Sequence, residues 1–240
     1  MSLYADLKQR AWASNLDLPR FGLVTKTFGN ASAFDARRQV FAIKPSGVPF
    51  DALQPEDMVV VDLQARVVEG RLKPSSDTRT HAVLYAAWPD IGGVVHTHSL
   101  YAVAWSQALR SIPVLGTTHA DYVAEDIPCT PPMDESKIGG NYEEETGRQI
   151  LRAFEERSHE NVPMVLVASH GPFTWGTSAD QAVEHSIALE QIARMAYLTL
   201  QINPGTPQLS DALLHKHFER KHGSTATYGQ DESDERTKHS

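Results

Sequence analysis

Apolar residues recur along this chain with two periods, one typical of helices and one typical of strands. Leu3, Leu7, Ala11 and Leu16 follow helical spacing and predict an opening helix. The same spacing returns in five later segments, several of which begin or end at residues that favour helix termini. These segments predict helices over residues 76–88, 100–108, 142–157, 179–201 and 211–222.

Short apolar runs between turn residues predict the strands. They lie at residues 22–24, 39–43, 58–63, 91–97, 112–115 and 164–168. The first of these strands follow one another closely, which favours a substantially antiparallel sheet over a doubly wound parallel one. With helices at both ends of the chain, the pattern predicts a layered α/β domain.

Length and composition narrow the class of protein. The chain has 240 residues with 41% hydrophobic and 22% charged residues, which suits one globular α/β domain. We expect that domain to span residues 1–230 and the polar residues 231–240 to form a disordered tail. The single cysteine, Cys129, excludes an internal disulfide and a thiolate metal site.

Charge and motifs exclude several kinds of partner. The net charge of −8 argues against nucleic acid, whose phosphates call for a basic surface. Nothing in the sequence resembles a membrane span or an apolar leader, so the predicted compartment is the cytoplasm. No Gly-rich nucleotide fingerprint occurs, which counts against a nucleotide cofactor. A small phosphorylated substrate stays compatible with the charge.

Three histidines follow apolar strands and are the strongest chemical feature. His96 and His98 end one predicted strand, and residues two apart in a strand project from the same face. His170 follows a second apolar strand, just before Gly171. Neutral imidazoles suit Zn²⁺ and neighbouring first-row ions, and three protein ligands leave a position open for substrate. By itself an H-x-H pair is weak evidence. Most other histidines, His81 among them, lie on predicted helices or tails and are interpreted as ordinary structural residues.

A series of ordered motifs makes the interpretation more specific. The motifs are Lys44-Pro45-Ser46-Gly47, Lys73-Pro74-Ser75-Ser76-Asp77-Thr78, His96-Thr97-His98-Ser99, Gly116-Thr117-Thr118-His119-Ala120-Asp121-Tyr122, Ser169-His170-Gly171-Pro172-Phe173, Lys221-His222-Gly223 and Tyr228-Gly229-Gln230. This series resembles the class II sugar-phosphate aldolase/epimerase family, the aldolase–adducin superfamily. Within that family it is most similar to the L-ribulose-5-phosphate 4-epimerases. The resemblance covers almost the whole chain, from about residue 7 to residue 230.

The resemblance implies a fold, a metal site and an assembly. The implied fold is a single three-layer α/β/α domain around a mainly antiparallel sheet, in a homotetramer with active sites between subunits. The implied metal is Zn²⁺, with Mn²⁺ or Co²⁺ as possible substitutes. The metal positions carried over from the family are Asp77, His96, His98 and His170.

The resemblance also implies a phosphate site. Its positions fall on Asn30, Lys44, Ser46, Gly47, Ser75 and Ser76. Such a set is physically sensible, because turn N–H groups, hydroxyls, a helix N-terminus and a lysine all favour an anion. Taken alone, each motif is more often only a turn or a helix cap.

The implied reaction interconverts L-ribulose 5-phosphate and D-xylulose 5-phosphate at C4. Because C4 carries no acidic hydrogen, the implied route is retro-aldol cleavage of C3–C4, rotation of the aldehyde and re-formation of the bond. The oxygen on C4 must lose a proton during cleavage and regain one from the opposite face, so two proton-carrying groups are needed on opposite sides of the aldehyde. The resemblance assigns this role to Asp121 and to Tyr228 of a neighbouring subunit. It gives Glu143 and His217 as partners that position these groups and the substrate. On its own, Asp121 reads as a surface carboxylate.

Two alternatives remain open at this point. One is a class II aldolase of the fuculose- or rhamnulose-phosphate type, which releases its aldehyde product. Those enzymes typically carry Glu at the position of Asp77, and the Thr-His-Ala-Asp-Tyr motif also favours the epimerase. The other is a non-catalytic binding module that resembles the adducin head, which the presence of all four metal positions argues against.

Overall fold

A computed structural model of the protein describes residues 2–222. Its centre is one seven-stranded sheet with the strand order β4-β3-β2-β1-β5-β7-β6, in which all neighbouring strands are antiparallel. The strands are β1 (Asn30–Asp35), β2 (Val40–Ile43), β3 (Val59–Asp62), β4 (Val67–Glu69), β5 (Gly93–His96), β6 (Met164–Val167) and β7 (Gly171–Gly176). The predicted antiparallel sheet is confirmed.

Eight helices connect and cover these strands within the described residues. They are α1 (Ala5–Arg20), α2 (Thr78–Ala87), α3 (Leu100–Gln107), α4 (Thr117–Ala120), α5 (Glu135–Ile138), α6 (Tyr142–Ala153), α7 (Ala179–Ile202) and α8 (Asp211–His222). None of the helices in residues 2–222 is both long and apolar enough to cross a membrane.

The sheet carries a hydrophobic core on each face because its side chains alternate. Ala33 and Ala42 pack with Leu7 of α1, whereas the next residues along the strands pack with α2 on the opposite face. The first turns of α7 join the α1 side through Ala179. Phe34 and its neighbours give the α2 side its aromatic core. The result is the predicted arrangement of helices on both faces of the sheet.

Two predicted strands are wrong. Residues 22–24 form the turn after α1, where Gly22 has a φ of +70° and the N–H of Leu23 returns to the carbonyl of Leu18. Residues 112–115 contribute only one isolated bridge, between Ile112 and Ile127. Leu23, Ile112 and Val114 are buried, so the apolar character of these runs reflects packing rather than strand pairing.

Three strands were not predicted, namely β1, β4 and β7. The most consequential is β7, which lies between β5 and β6 and begins with Gly171 and Pro172. Glycine and proline normally weaken a strand assignment. Here Pro172 occupies the second position of the strand, and its carbonyl accepts a hydrogen bond from the N–H of Thr97. The predicted tail at 231–240 lies outside the described residues.

Candidate metal centre

The ends of two neighbouring strands bring three histidines together. His96 is the last residue of β5 and His98 follows two residues later, while His170 lies in the turn between β6 and β7. One nitrogen of each ring lies within 4.8 Å of the others. The Nε2 atoms of His96 and His98 are 3.0 Å apart. Nitrogens that share one zinc ion at about 2.0–2.1 Å lie roughly 3.3 Å apart, so this geometry fits a shared cation.

Contacts around His96 fix its ring for this task. Its Nδ1 donates a hydrogen bond to the carbonyl of Pro172 at 3.0 Å, which leaves the lone pair on Nε2, the atom that points at His98. The ring of Phe173 stacks on it at 4.3 Å. Gly171 packs closely against the His96 ring, because a Cβ there would lie 2.9 Å from the carbonyl oxygen of Thr97 and 3.5 Å from Cε1 of His96.

The environment of the cluster keeps His98 and His170 neutral. Burial and the neighbouring His96 lower the pKa of His170 to about 4. Burial, again with His96, also lowers the pKa of His98. Neutral imidazole is the form that binds metal, so His98 and His170 are in the metal-binding form at neutral pH.

Asp77 lies beside these histidines, at the residue that precedes α2, and lines the same cavity. Its Oδ2 accepts a hydrogen bond from the Nδ2 of Asn30 at 2.6 Å. Burial raises the pKa of Asp77, but the nearby imidazoles of His96 and His81 and the hydrogen bond from Asn30 lower it overall. The carboxylate is therefore charged, although it is not part of the 4.8 Å cluster.

The cavity next to the histidines has a volume of about 300 Å³ and gathers the predicted substrate positions. Besides the four predicted metal positions it is lined by Asn30, Lys44, Ser46, Gly47, Ser75 and Ser76. Its rim is formed by residues 27–29, where Phe28 is exposed and stacks on His98 at 5.8 Å. All ten residues predicted for metal and phosphate thus lie around one space.

Two turns, at residues 44–47 and 73–76, are joined by backbone hydrogen bonds and form the polar wall of this cavity. The N–H of Ser46 donates to the carbonyl of Lys73 at 2.9 Å, and the N–H of Ser75 donates to the carbonyl of Lys44 at 3.0 Å. Gly47 has a φ of +72°, a conformation that glycine adopts without strain. These two N–H groups are used in the pairing, which holds the hydroxyl-bearing residues Ser46, Ser75 and Ser76 at one side of the cavity, where hydroxyl donors suit an anion.

Lys44 is the cation of this wall. Its side chain is buried, and its Nζ lies 4.6 Å above the ring of Phe50, where the ring face supports the charge. Burial lowers the pKa of Lys44 to about 8. An anion in the cavity would therefore interact with an ammonium group that has lost most of its contact with water.

A second polar cluster lies elsewhere on the chain. Asp121 accepts hydrogen bonds from Nδ1 of His217 at 3.0 Å and from Nη2 of Arg220 at 3.1 Å, both on α8. Burial raises the pKa of Asp121, but these partners and Lys221 lower it overall. Neither Asp121 nor His217 is among the residues that line the histidine cavity. The structure thus joins two predicted site residues to each other and separates both from the metal positions within one chain.

The remaining predicted residues are placed differently. Glu143 lies in the first turn of α6, and its carbonyl accepts a hydrogen bond from Oγ1 of Thr80. Tyr228 lies outside the described residues. Sequence reasoning missed Arg220, which the three-residue spacing from His217 on one helix could have suggested. It also missed Tyr142, whose hydroxyl lies 3.5 Å from Nδ1 of His170.

Comparison with known proteins identifies relatives over most of the chain. The family model described as Class II Aldolase and Adducin N-terminal domain matches residues 9–197. The L-ribulose-5-phosphate 4-epimerases UlaF of Salmonella paratyphi A and Salmonella typhi are each 51% identical over 224 residues, covering 93% of this chain and 98% of theirs. A solved structure of an L-fuculose 1-phosphate aldolase superposes with a TM-score of 0.77 at 26% identity, covering 92% of this chain and 97% of the aldolase.

Proposed function

The chain belongs to the class II aldolase and adducin family, and we propose that it interconverts L-ribulose 5-phosphate and D-xylulose 5-phosphate. The observation that carries this proposal is the 51% identity to L-ribulose-5-phosphate 4-epimerases over nearly the full length of both chains. The geometry supports it independently, because three histidines that could hold a cation and a wall of polar residues line the same cavity.

The residues that would hold the cation are His96, His98 and His170, with Asp77 as a fourth ligand. We propose a divalent metal, Zn²⁺ in the first place, with Mn²⁺ and Co²⁺ as ions that the same nitrogen and oxygen donors accept. A metal at this position supplies a Lewis acid that stabilises negative charge developing on the substrate oxygens.

The phosphate end of the substrate fits the opposite side of the cavity. Lys44 would pair with the phosphate, while Ser46, Gly47 and the turn at 75–76 donate hydrogen bonds. Asn30 bridges the two ends, since its Nδ2 contacts both Asp77 and Ser75. With the phosphate held at these turns and the other end of the sugar at the histidines, we expect the C3–C4 bond to lie near the proposed metal.

The proposed reaction breaks and remakes one carbon–carbon bond. The C4 hydroxyl loses its proton, the C3–C4 electron pair moves to C3, and an enediolate of dihydroxyacetone forms beside glycolaldehyde phosphate. The aldehyde rotates, the bond re-forms on its other face, and the C4 oxygen regains a proton. Asp121 and Tyr228 are the proposed proton carriers, with Glu143 and His217 as their positioning partners.

The position of Asp121 supports a site shared between subunits. Asp121 and His217 do not line the cavity that the same chain forms around its histidines. We therefore propose a homotetramer in which these groups and Tyr228 act at a neighbouring subunit's cavity. The expected location is the cytoplasm, and the expected partner is a small phosphorylated ketopentose rather than nucleic acid.

A class II aldolase remains the second candidate, because the fold matches that of an L-fuculose 1-phosphate aldolase. A chiral product assay separates the two. Incubation of the purified protein with L-ribulose 5-phosphate is expected to yield D-xylulose 5-phosphate without net release of aldehyde. Accumulation of glycolaldehyde phosphate in place of D-xylulose 5-phosphate would identify an aldolase. Protein that lacks stoichiometric metal and both activities would instead be a binding module.

The pH dependence of substrate capture is expected to report on Lys44. Since burial lowers the pKa of Lys44 to about 8, the ammonium is present below this pH and is lost above it. At pH 9, about one unit above this pKa, about nine-tenths of the free enzyme would lack the charge. The value of kcat/KM at pH 9 should therefore be about tenfold below its plateau at lower pH. The measurement is a pH profile of kcat/KM with the ketopentose phosphate.

Lys44→Arg provides the matched comparison. Arginine stays charged throughout the accessible pH range, so the alkaline decline should disappear even if the overall activity is lower. Lys44→Met should bind substrate weakly at every pH. An alkaline decline of equal size in the wild type and in Lys44→Arg would show that another group causes it.

A further inference from the structure

A fully buried histidine lies behind the proposed metal site, and the mechanism above does not use it. His81 is on α2, one helical turn after Asp77, and has an exposed fraction of 0%. Its ring is surrounded by aromatic side chains, with Phe41 at 6.5 Å and Phe173 at 6.2 Å between ring centroids. Phe173 is the same residue that stacks on His96. An apolar residue would fill such a place at lower cost, so the imidazole calls for an explanation.

A short chain of hydrogen bonds holds the inner nitrogen of His81. Nδ1 lies 2.7 Å from Oγ of Ser32, and that oxygen lies 2.7 Å from the hydroxyl of Tyr85. When Tyr85 donates to Ser32 and Ser32 donates to Nδ1, every proton has a short bond. The opposite direction leaves the tyrosine proton only a carbonyl at 3.3 Å. The first direction is therefore favoured, and it places the imidazole proton on Nε2.

The outer nitrogen of His81 has no hydrogen-bond partner in the described part of the chain and no access to solvent. A buried N–H without a partner is unfavourable, because folding removes its hydrogen bond to water and supplies none in exchange. Burial lowers the pKa of His81, and the two neighbouring groups that also act on it are Asp77, which raises this pKa, and His96, which lowers it. Side chains on a helix lean towards its N-terminus, so His81 leans towards Asp77 four residues earlier.

We propose that His81 is a positioning residue whose Nε2–H supports the Asp77 carboxylate as that group turns to the metal. The inference rests on the proposed role of Asp77 as a ligand. The carboxylate then has two supports, the amide of Asn30 on the side of the phosphate turns and the imidazole of His81 on the side of the core. Groups that orient a metal ligand in this way typically change metal affinity by about 10- to 100-fold when they are removed.

The test compares two conservative replacements of His81 by their affinity for Zn²⁺, measured by competition with a chromophoric chelator in the absence of substrate. His81→Asn can keep the bond to Ser32 but has no atom at the Nε2 position. His81→Gln can place its amide nitrogen near that position. His81→Asn is expected to bind Zn²⁺ about 10- to 100-fold more weakly than the wild type, and His81→Gln to recover most of the difference.

Tyr85→Phe is the matched control for damage to the core. It removes a buried hydroxyl from the same hydrogen-bond chain, but Ser32 can still donate to Nδ1 and keep the proton on Nε2. We expect this variant to lose thermal stability while it retains Zn²⁺ affinity. The visible absorption spectrum of the Co²⁺-loaded protein gives a second readout, which should change in His81→Asn and stay unchanged in Tyr85→Phe.

The outcomes separate this inference from the proposed function. Equal Zn²⁺ affinity in the wild type and in His81→Asn would overturn the role of His81 alone. Equal weakening in His81→Asn, His81→Gln and Tyr85→Phe would also overturn it, because the residue would then be only part of the core. A wild-type protein that binds no divalent metal would overturn the proposed function itself.

Discussion

Replacing His98 with alanine is expected to abolish stoichiometric metal binding and to lower epimerase turnover by at least about a thousandfold. A metal Lewis acid lowers the free energy of the transition state by several kcal/mol, and each 1.36 kcal/mol corresponds to about a factor of ten in rate. His98 is the most exposed of the three clustered histidines, so its removal leaves no cavity in the core. The measurements are metal content by elemental analysis and turnover with L-ribulose 5-phosphate.

His215→Ala is the control for this experiment. His215 is also an exposed histidine, and in residues 2–222 its Nδ1 is bonded within α8, to the carbonyl of Asp211. It should keep full metal content and activity. A His98→Ala protein with one tightly bound metal and wild-type turnover would exclude the three-histidine centre as the site of the reaction.

Replacing Asp121 with asparagine is expected to lower turnover by about 10²- to 10⁴-fold while metal content stays normal. Asparagine keeps the size of the side chain but removes the carboxylate that would accept and return the C4 proton. The metal should be unaffected, because Asp121 is not among the residues that line the histidine cavity. Turnover and metal content are measured on the same preparation.

The same change weakens the contacts of Asp121 with His217 and Arg220, so a control must account for α8. Glu125→Gln removes an exposed carboxylate four residues away and should be active. The thermal midpoint of Asp121→Asn shows whether α8 has loosened. Loss of metal from Asp121→Asn would place this carboxylate among the ligands instead, whereas normal turnover would exclude it as a proton carrier.

Part of the histidine cluster could be predicted from the sequence, because it depends on the local geometry of one strand. His96 and His98 share one face because side chains alternate along a strand, and this rule needs no tertiary information. The contact with His170 depends on the pairing of β5 with β7. The Gly-Pro start of β7 concealed that strand. His170 was therefore joined to the pair by its place after a second apolar strand and by the family resemblance, without the strand pairing that brings the three rings together.

Other features could not be read from local pattern. The separation of Asp121 from the histidine cavity depends on how α4 and α8 pack, which periodicity does not encode. His81 looked ordinary because a histidine on an apolar helix face has no local signature of its surroundings. Its proposed role follows only from the tertiary surroundings of its ring, where Nδ1 is bonded to Ser32 and Nε2 is buried without a partner among the described residues.

The separation of the Asp121 cluster from the histidine cavity has a genetic consequence. If each working site combines the cavity of one chain with Asp121 of another, then two alleles that fail for different reasons can complement each other. A chain with a damaged cavity could still lend its Asp121, and a chain without Asp121 could still lend its cavity. Conversely, a single defective chain would impair the site of a healthy neighbour, so the unit on which selection acts is the assembly rather than the individual polypeptide.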